Sequence, residues 1–125
     1  MVASDSDFGF VVIEPLSPDE VTELFTAAAP ALREPHIGRK LRAAYRRAGF
    51  DQIDVKVTAA TDTSGFMRPV IENMLGYGLQ FDRITEARAA ELRQPIDAAI
   101  EAGEYREELA FWLGFLDKLV ADPAK

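Results

Sequence analysis

The stretch that most restricts the fold runs from a basic helix through a glycine stop into a strand of period two. Ile53, Val55, Val57 and Ala59 alternate with Asp54, Lys56 and Thr58. Successive strand side chains point to opposite faces, so this segment reads as a half-buried strand. Just before it, Gly49 stands where a helix ends in a left-handed residue, and Phe50 can supply the apolar contact that accompanies such a stop. The helix closed by Gly49 spans residues 37–48, with Leu41, Ala44 and Tyr45 on its buried side. Arg39, Lys40, Arg42, Arg46 and Arg47 cover the rest. Those cations suit a solvated face near the favourable end of the helix dipole, and they also suit an anion or an acidic partner.

The flanking segments follow the same alternation of strand and helix. Residues 8–13 are aromatic and β-branched and read as extended chain stopped by Pro15. Ser17, Pro18 and Glu20 then form a helix start, a cap followed by proline and a capping-box glutamate. Val21, Leu24, Phe25 and Ala28 recur at helical spacing until Pro30. Residues 61–65 read as a polar loop, and residues 66–75 as a short helix broken by Gly76 and Gly78. A longer helical stretch spans residues 85–102, stopped by Gly103 and interrupted by Pro95. The run from residue 109 to 120 is ambiguous. Leu109, Trp112, Leu113, Leu116 and Val120 fit one helix face, yet residues 109–116 carry no charge and equally suit a strand buried on both sides.

Composition narrows the function classes. The chain has 125 residues with 48% apolar and 10% aromatic side chains, enough for a packed core. It shows no repeat and no internal boundary, so residues 1–125 are expected to form a single domain. A net charge of −7 argues against a nucleic-acid partner, whose footprint is basic. The absence of cysteine excludes disulfides, thiol catalysis and thiolate metal sites. The start is acidic where a leader would be basic, and no apolar run reaches the roughly 20 residues needed to cross a bilayer. A cytoplasmic protein with no membrane partner is the expectation.

The inventory of reactive groups is small. His36 is the single histidine, so two-imidazole metal sites are excluded. Asp5 and Asp7 in an extended segment share a face and could hold a divalent ion or act as an acid/base couple, or simply be solvated near the terminus. Ser4 and Ser6 have no neighbouring histidine to activate them. Phe66, Met67, Met74 and Tyr77 suit either core packing or an adaptable apolar lid over a ligand.

Three stretches in order carry a family resemblance. Ile37-Gly38-Arg39-Lys40-Leu41, continuing through Arg47-Ala48-Gly49-Phe50 to Ile53-Asp54-Val55, resembles the back half of class I S-adenosylmethionine-dependent methyltransferases. In that family an I-G-R-x-L helix ends in A-G-F and feeds the sixth strand. Val2-Ala3-Ser4-Asp5-Ser6-Asp7-Phe8 is similar to the end of the fifth strand, and Ile100-Glu101-Ala102-Gly103-Glu104-Tyr105 to the turn before the seventh. The resemblance implies an α/β fold equivalent to the C-terminal half of that Rossmann-like architecture. Its small mixed sheet would have the order 5-7-6, with strand seven antiparallel and helices flanking it. The tail departs from the family, because Asp117-Lys118 interrupts where an apolar strand would continue.

The implied function is the substrate side of a methyltransferase, acting on a small-molecule acceptor when the cofactor-binding half is supplied. The resemblance places Asp7, Phe8, His36 and Arg39 in the pocket wall and makes residues 66–77 the lid, with Phe66, Met67, Met74 and Tyr77 facing the ligand. No catalytic residue and no metal ligand carries over. S-adenosylmethionine is the implied cofactor, but the family's glycine-rich loop has no match here, so the isolated chain is not expected to bind it. A bare fifth-strand edge implies association with another copy or with a complementary methyltransferase chain. Two other readings remain open: a non-catalytic binding or dimerisation module, and a small cofactor-free enzyme using Asp5 and Asp7.

Overall fold

A computed structural model describes the backbone of residues 2–117 and the side chains of residues 5–109. The order of elements is strand β1 (Val2–Glu14), helix α1 (Pro18–Ala28), a 3-10 turn (Ala29–Ala31), helix α2 (Ile37–Arg47), strand β2 (Gln52–Asp62), helices α3 (Arg68–Gln80) and α4 (Glu86–Ala102), and strand β3 (Arg106–Asp117). The protein is α/β. Its three strands form one sheet in the order β1-β3-β2. The strand that comes last in sequence therefore enters between the first two, antiparallel to both. No adjacent pair is parallel, which corrects the expectation of a mixed sheet. The ambiguous run is a strand as far as Asp117, hydrogen-bonded on both sides; residues 118–120 lie outside the described residues.

The helix boundaries come from local chemistry. Ser17 Oγ accepts from the Glu20 amide at 3.1 Å, and the Glu20 carboxylate accepts from the Ser17 amide at 3.1 Å, so the capping box of α1 is complete. The helix ends at Ala28, and Pro30 lies in the 3-10 turn beyond it. Gly49 and Gly103 follow α2 and α4 with φ of 100° and 74°, the left-handed conformation a side chain would oppose. Phe50 packs edge-on against Tyr45 at 6.0 Å.

Three expected breaks are absent. Helix α3 runs unbroken through Gly76 and Gly78. At Gly78 a Cβ would lie 2.7 Å from Ile84 Cγ2 and 3.1 Å from Ala27 Cβ, so this glycine allows close packing of helices rather than ending one. Helix α4 also continues through Pro95. Proline removes one backbone bond and strains the turn, and the fully buried Leu92 and Ile96 on either side hold that turn in register.

Helices α1, α3 and α4 cover one face of the sheet. Their Leu24, Ile71, Leu75, Leu92 and Ile96 close over Ile13 of β1 and over Tyr105, just before β3. Helix α2 packs against all three strands but stays outside that cluster. Consecutive residues show which face it covers: Phe8 stacks on Phe25 of α1 at 5.1 Å, whereas Asp7 bonds to Arg39 of α2. The half-buried strand expected at residues 53–59 is buried only in part. Ile53 and Val55 are half-buried, but Val57 is 58% exposed, and Thr61 and Asp62 end the strand instead of forming a loop. The reason is length, since a helix of 11 residues spans about 16 Å and a strand of 11 about 36 Å.

Candidate functional site

The site is built on an irregularity in β1. Its pairing with β3 runs to Ser6, opposite Phe111, and resumes at Val11, opposite Leu109. Residues 7–10 thus leave the ladder. The Phe8 amide donates instead to the Pro35 carbonyl at 2.9 Å, which ties the loop before α2 to the strand. That tie brings His36 and Arg39 over Asp7, 29 and 32 residues apart in sequence.

Asp7 has no exposed surface and is fully coordinated. Its Oδ1 accepts from the Gly9 amide at 2.7 Å, from His36 Nδ1 at 2.6 Å and from Arg39 Nη2 at 3.0 Å, while Oδ2 accepts from Arg39 Nε. Burial pushes the carboxyl up, but the bonds from Arg39, His36 and Gly9 and the charge of Arg39 outweigh it and hold Asp7 below its ordinary range. Gly9 is required for this closeness, since a Cβ there would stand 2.4 Å from Arg39 Nη2 and 3.1 Å from His36 Cε1. The Arg39 guanidinium also lies over the Phe10 ring, 5.3 Å from its centroid.

The chemistry of the cluster follows from Asp7 being ionised. An ionised carboxylate only accepts, so His36 Nδ1 carries a proton, and in the neutral form of the ring the lone pair is on Nε2. Nε2 has no hydrogen-bond partner among the described residues, and the His36 side chain is 41% exposed. The arrangement is an oriented base with a fixed cation beside it. It contains no activated hydroxyl, which sets it apart from a nucleophilic triad. Asp5 is exposed and bonds the Ser6 amide. With both Asp7 oxygens held by Arg39, His36 and Gly9, the two aspartates form no joint ion site, and no cluster of three metal-ligating side chains occurs among the described residues.

The other candidates separate. Phe8 turns away from Asp7 into its stack on Phe25. Met74 is buried in the core and Tyr77 packs against it, so residues 66–77 do not form a detached lid. Phe66 and Met67 line a cavity of about 450 Å³ at the end of β2, together with Asp62, Ser64, Glu107 and Leu109. Glu107 of β3 pairs with Ile13 of the core, so this cavity opens on the face opposite Asp7. Sequence reasoning passed over Gly9 and Glu107. The usable signals were the short D-x-G turn from Asp7 to Gly9 and the period-two series Tyr105, Glu107, Leu109, which puts a carboxylate at an inward position.

Compared with known proteins, the chain matches no family model and no curated protein. Among the described residues no helix is long and apolar enough to cross a membrane.

Proposed function

We propose that this chain is the acceptor-side part of a class I methyltransferase-like protein, acting on a small molecule in concert with a cofactor-binding half. The observation that carries the reading is the strand order. β1-β3-β2, with the last strand antiparallel between the first two, is the arrangement the resemblance implies for strands five, seven and six. The Ala48-Gly49-Phe50 stop and the Gly103 turn fall at the entrances to β2 and β3, where the resemblance needs them.

S-adenosylmethionine does not fit the described residues. Its site in the family needs adjacent glycines that admit a ligand to the backbone. Here no two glycines are adjacent: a Cβ on Gly9, Gly65 or Gly78 would meet the side chains of Arg39, Ile100 and Ile84, and Gly49, Gly76 and Gly103 face open space but stand singly. No step is therefore assigned to the cofactor. The role of these residues is to prepare the acceptor. His36 Nε2 takes the proton from an acceptor hydroxyl or ammonium, Asp7 stabilises the imidazolium that forms, and the Arg39 charge favours an acceptor bearing an anionic group.

Titration calorimetry and a methyl-transfer assay test the reading together. The chain alone should bind S-adenosylmethionine no better than about millimolar, equivalent to about −4 kcal/mol. With the cofactor half supplied, binding and methyl transfer should appear, and His36→Gln should lower the rate about 10²-fold or more while the two chains still associate. Micromolar binding by the chain alone, or an unchanged rate in H36Q, would overturn it. A binding or dimerisation module is favoured by one observation: β1 and β2 are the outer strands of the sheet among the described residues, carrying Val12 at 54% and Val57 at 58% exposure. Association without methyl transfer would select that module.

A further inference from the structure

The cavity on the opposite face has features of a ligand site that the acceptor cluster does not use. Glu107 is 3% exposed. One of its oxygens accepts from the Tyr105 hydroxyl at 2.9 Å. The other has no partner among the described residues, and no buried side-chain oxygen there is left unsatisfied, so it borders the open space that Glu107 lines. Asp62 stands beside it. Burial pushes the Asp62 carboxyl up, but it accepts from the amides of Ser64, Gly65 and Met67 at 3.0, 3.2 and 2.7 Å, and its hydrogen bonds together hold it below its ordinary range.

No cation answers this charge among the described residues. Arg68 at the start of α3, whose charge acts on the neighbouring Tyr105 hydroxyl, is bound to Asp97 at 2.6 Å and to Glu72 at 2.9 Å. The rest of the lining sets Thr61, Thr63 and Ser64 on one hand against the apolar Met67, Leu109 and Ala60 on the other, and Phe66 stands 83% exposed at the rim. A volume of about 450 Å³ lies within the range of small-molecule sites, roughly 300–1,000 Å³.

We propose that this cavity binds a small organic amine in its ammonium form, with an N–H donated to the free oxygen of Glu107 and the apolar body against Met67, Phe66 and Leu109. The ammonium supplies the missing countercharge to two carboxylates, and the exposed aromatic ring can cover a cation as well as an apolar group. An anionic ligand would face Glu107 and Asp62 and be repelled. A neutral alcohol would gain one hydrogen bond and no charge interaction. The inference is independent of the methyltransferase reading, because the cavity and the Asp7 cluster lie on opposite faces of the sheet.

The test titrates the full 125-residue chain with 2-phenylethylamine, 2-phenylethanol and phenylacetate, followed by calorimetry and by NMR shifts of the Ser64 and Met67 amides. The amine should bind at least tenfold more tightly than either analogue, and Glu107→Gln should remove that preference. Burial holds the Glu107 carboxyl near 7 against the Tyr105 hydrogen bond, with Asp62 adding to the rise, so amine affinity should fall about tenfold from pH 8 to pH 6. The analogue series and the pH series need no variant, so the proposal stays testable if E107Q folds poorly. Equal binding of the alcohol or the acid, no binding of the amine, or an unchanged preference in E107Q would overturn it.

Discussion

Replacing Glu107 with glutamine should stabilise the protein above neutral pH and leave it nearly unchanged in mild acid. The Glu107 carboxyl has lost its water to the interior and has gained only the Tyr105 hydroxyl in return, so burial raises it from 4.5 to about 7. A group raised in this way keeps in the folded state a proton that the unfolded chain releases. Its contribution is therefore fully present below about pH 4.5 and lost as pH rises through about 7. At about 1.4 kcal/mol per unit, the full swing is about 3 kcal/mol. Glutamine carries no charge at any pH and can still accept from Tyr105, so the variant escapes that loss.

Urea unfolding of both chains at pH 5 and pH 8 measures the difference directly, because every other titrating group is common to the two and drops out. The variant should match the parent within about 1 kcal/mol at pH 5 and exceed it by up to about 3 kcal/mol at pH 8, roughly 10 °C in Tm for a domain of this size. Parallel pH profiles would refute the reasoning. They would mean that the carboxylate stays solvated or finds a cation.

Asp7 should behave in the opposite sense: its carboxyl is held below 3.8, so its contribution persists above that value and is lost as pH falls below about 4. Asp7→Asn should flatten this acid limb in a circular dichroism titration from pH 5 to 2. Gly9→Ala would drive a methyl to 2.4 Å from Arg39 Nη2 and displace the guanidinium from Asp7, with a loss of about 1 to 3 kcal/mol by urea melt. Leu92→Ala, at a fully buried position on α4, should cost about 3 to 5 kcal/mol in the same assay.

What the sequence disclosed was local. The Ser17–Glu20 box, the Gly49 and Gly103 stops and the start of α4 at Thr85 are each set by residues within one turn of the boundary. Gly78 and Pro95 were misleading for the same reason, because the contacts that keep those helices whole come from Ala27, Ile84 and the core around Leu92 and Ile96. The run that became β3 was undecidable by periodicity, and partners on both sides settle it as far as residue 117. At the site, the resemblance put Asp7, Phe8, His36 and Arg39 in one pocket wall without their bonding, and Phe8 turns instead to Phe25. The contact among the other three depends on four residues leaving the β1 ladder and on one bond from Phe8 to Pro35. Glu107 escaped notice because its neighbours Glu104, Arg106 and Glu108 make the segment look like solvated chain, and only pairing with Ile13 turns it inward.

Asp7 and Glu107 make a controlled comparison within one sheet. Both are carboxylates with almost no exposed surface, and both feel burial as the largest single influence on their charge. They diverge because of what else each one touches. Asp7 receives four hydrogen bonds, two of them from a guanidinium, which is enough to reverse the penalty of burial and keep it ionised. Glu107 receives one bond from a neutral hydroxyl and lies beside another carboxylate, so the penalty stands. The first group is therefore a fixed charge that orients His36 across the whole working range of pH. The second has its charge set by its surroundings, and an ammonium placed in the cavity would do for Glu107 what Arg39 does for Asp7, pulling it back to the ionised form. Calorimetry of amine binding at pH 6.5 in buffers of different ionisation heat should then report a released proton, and its absence in E107Q would identify Glu107 as the source.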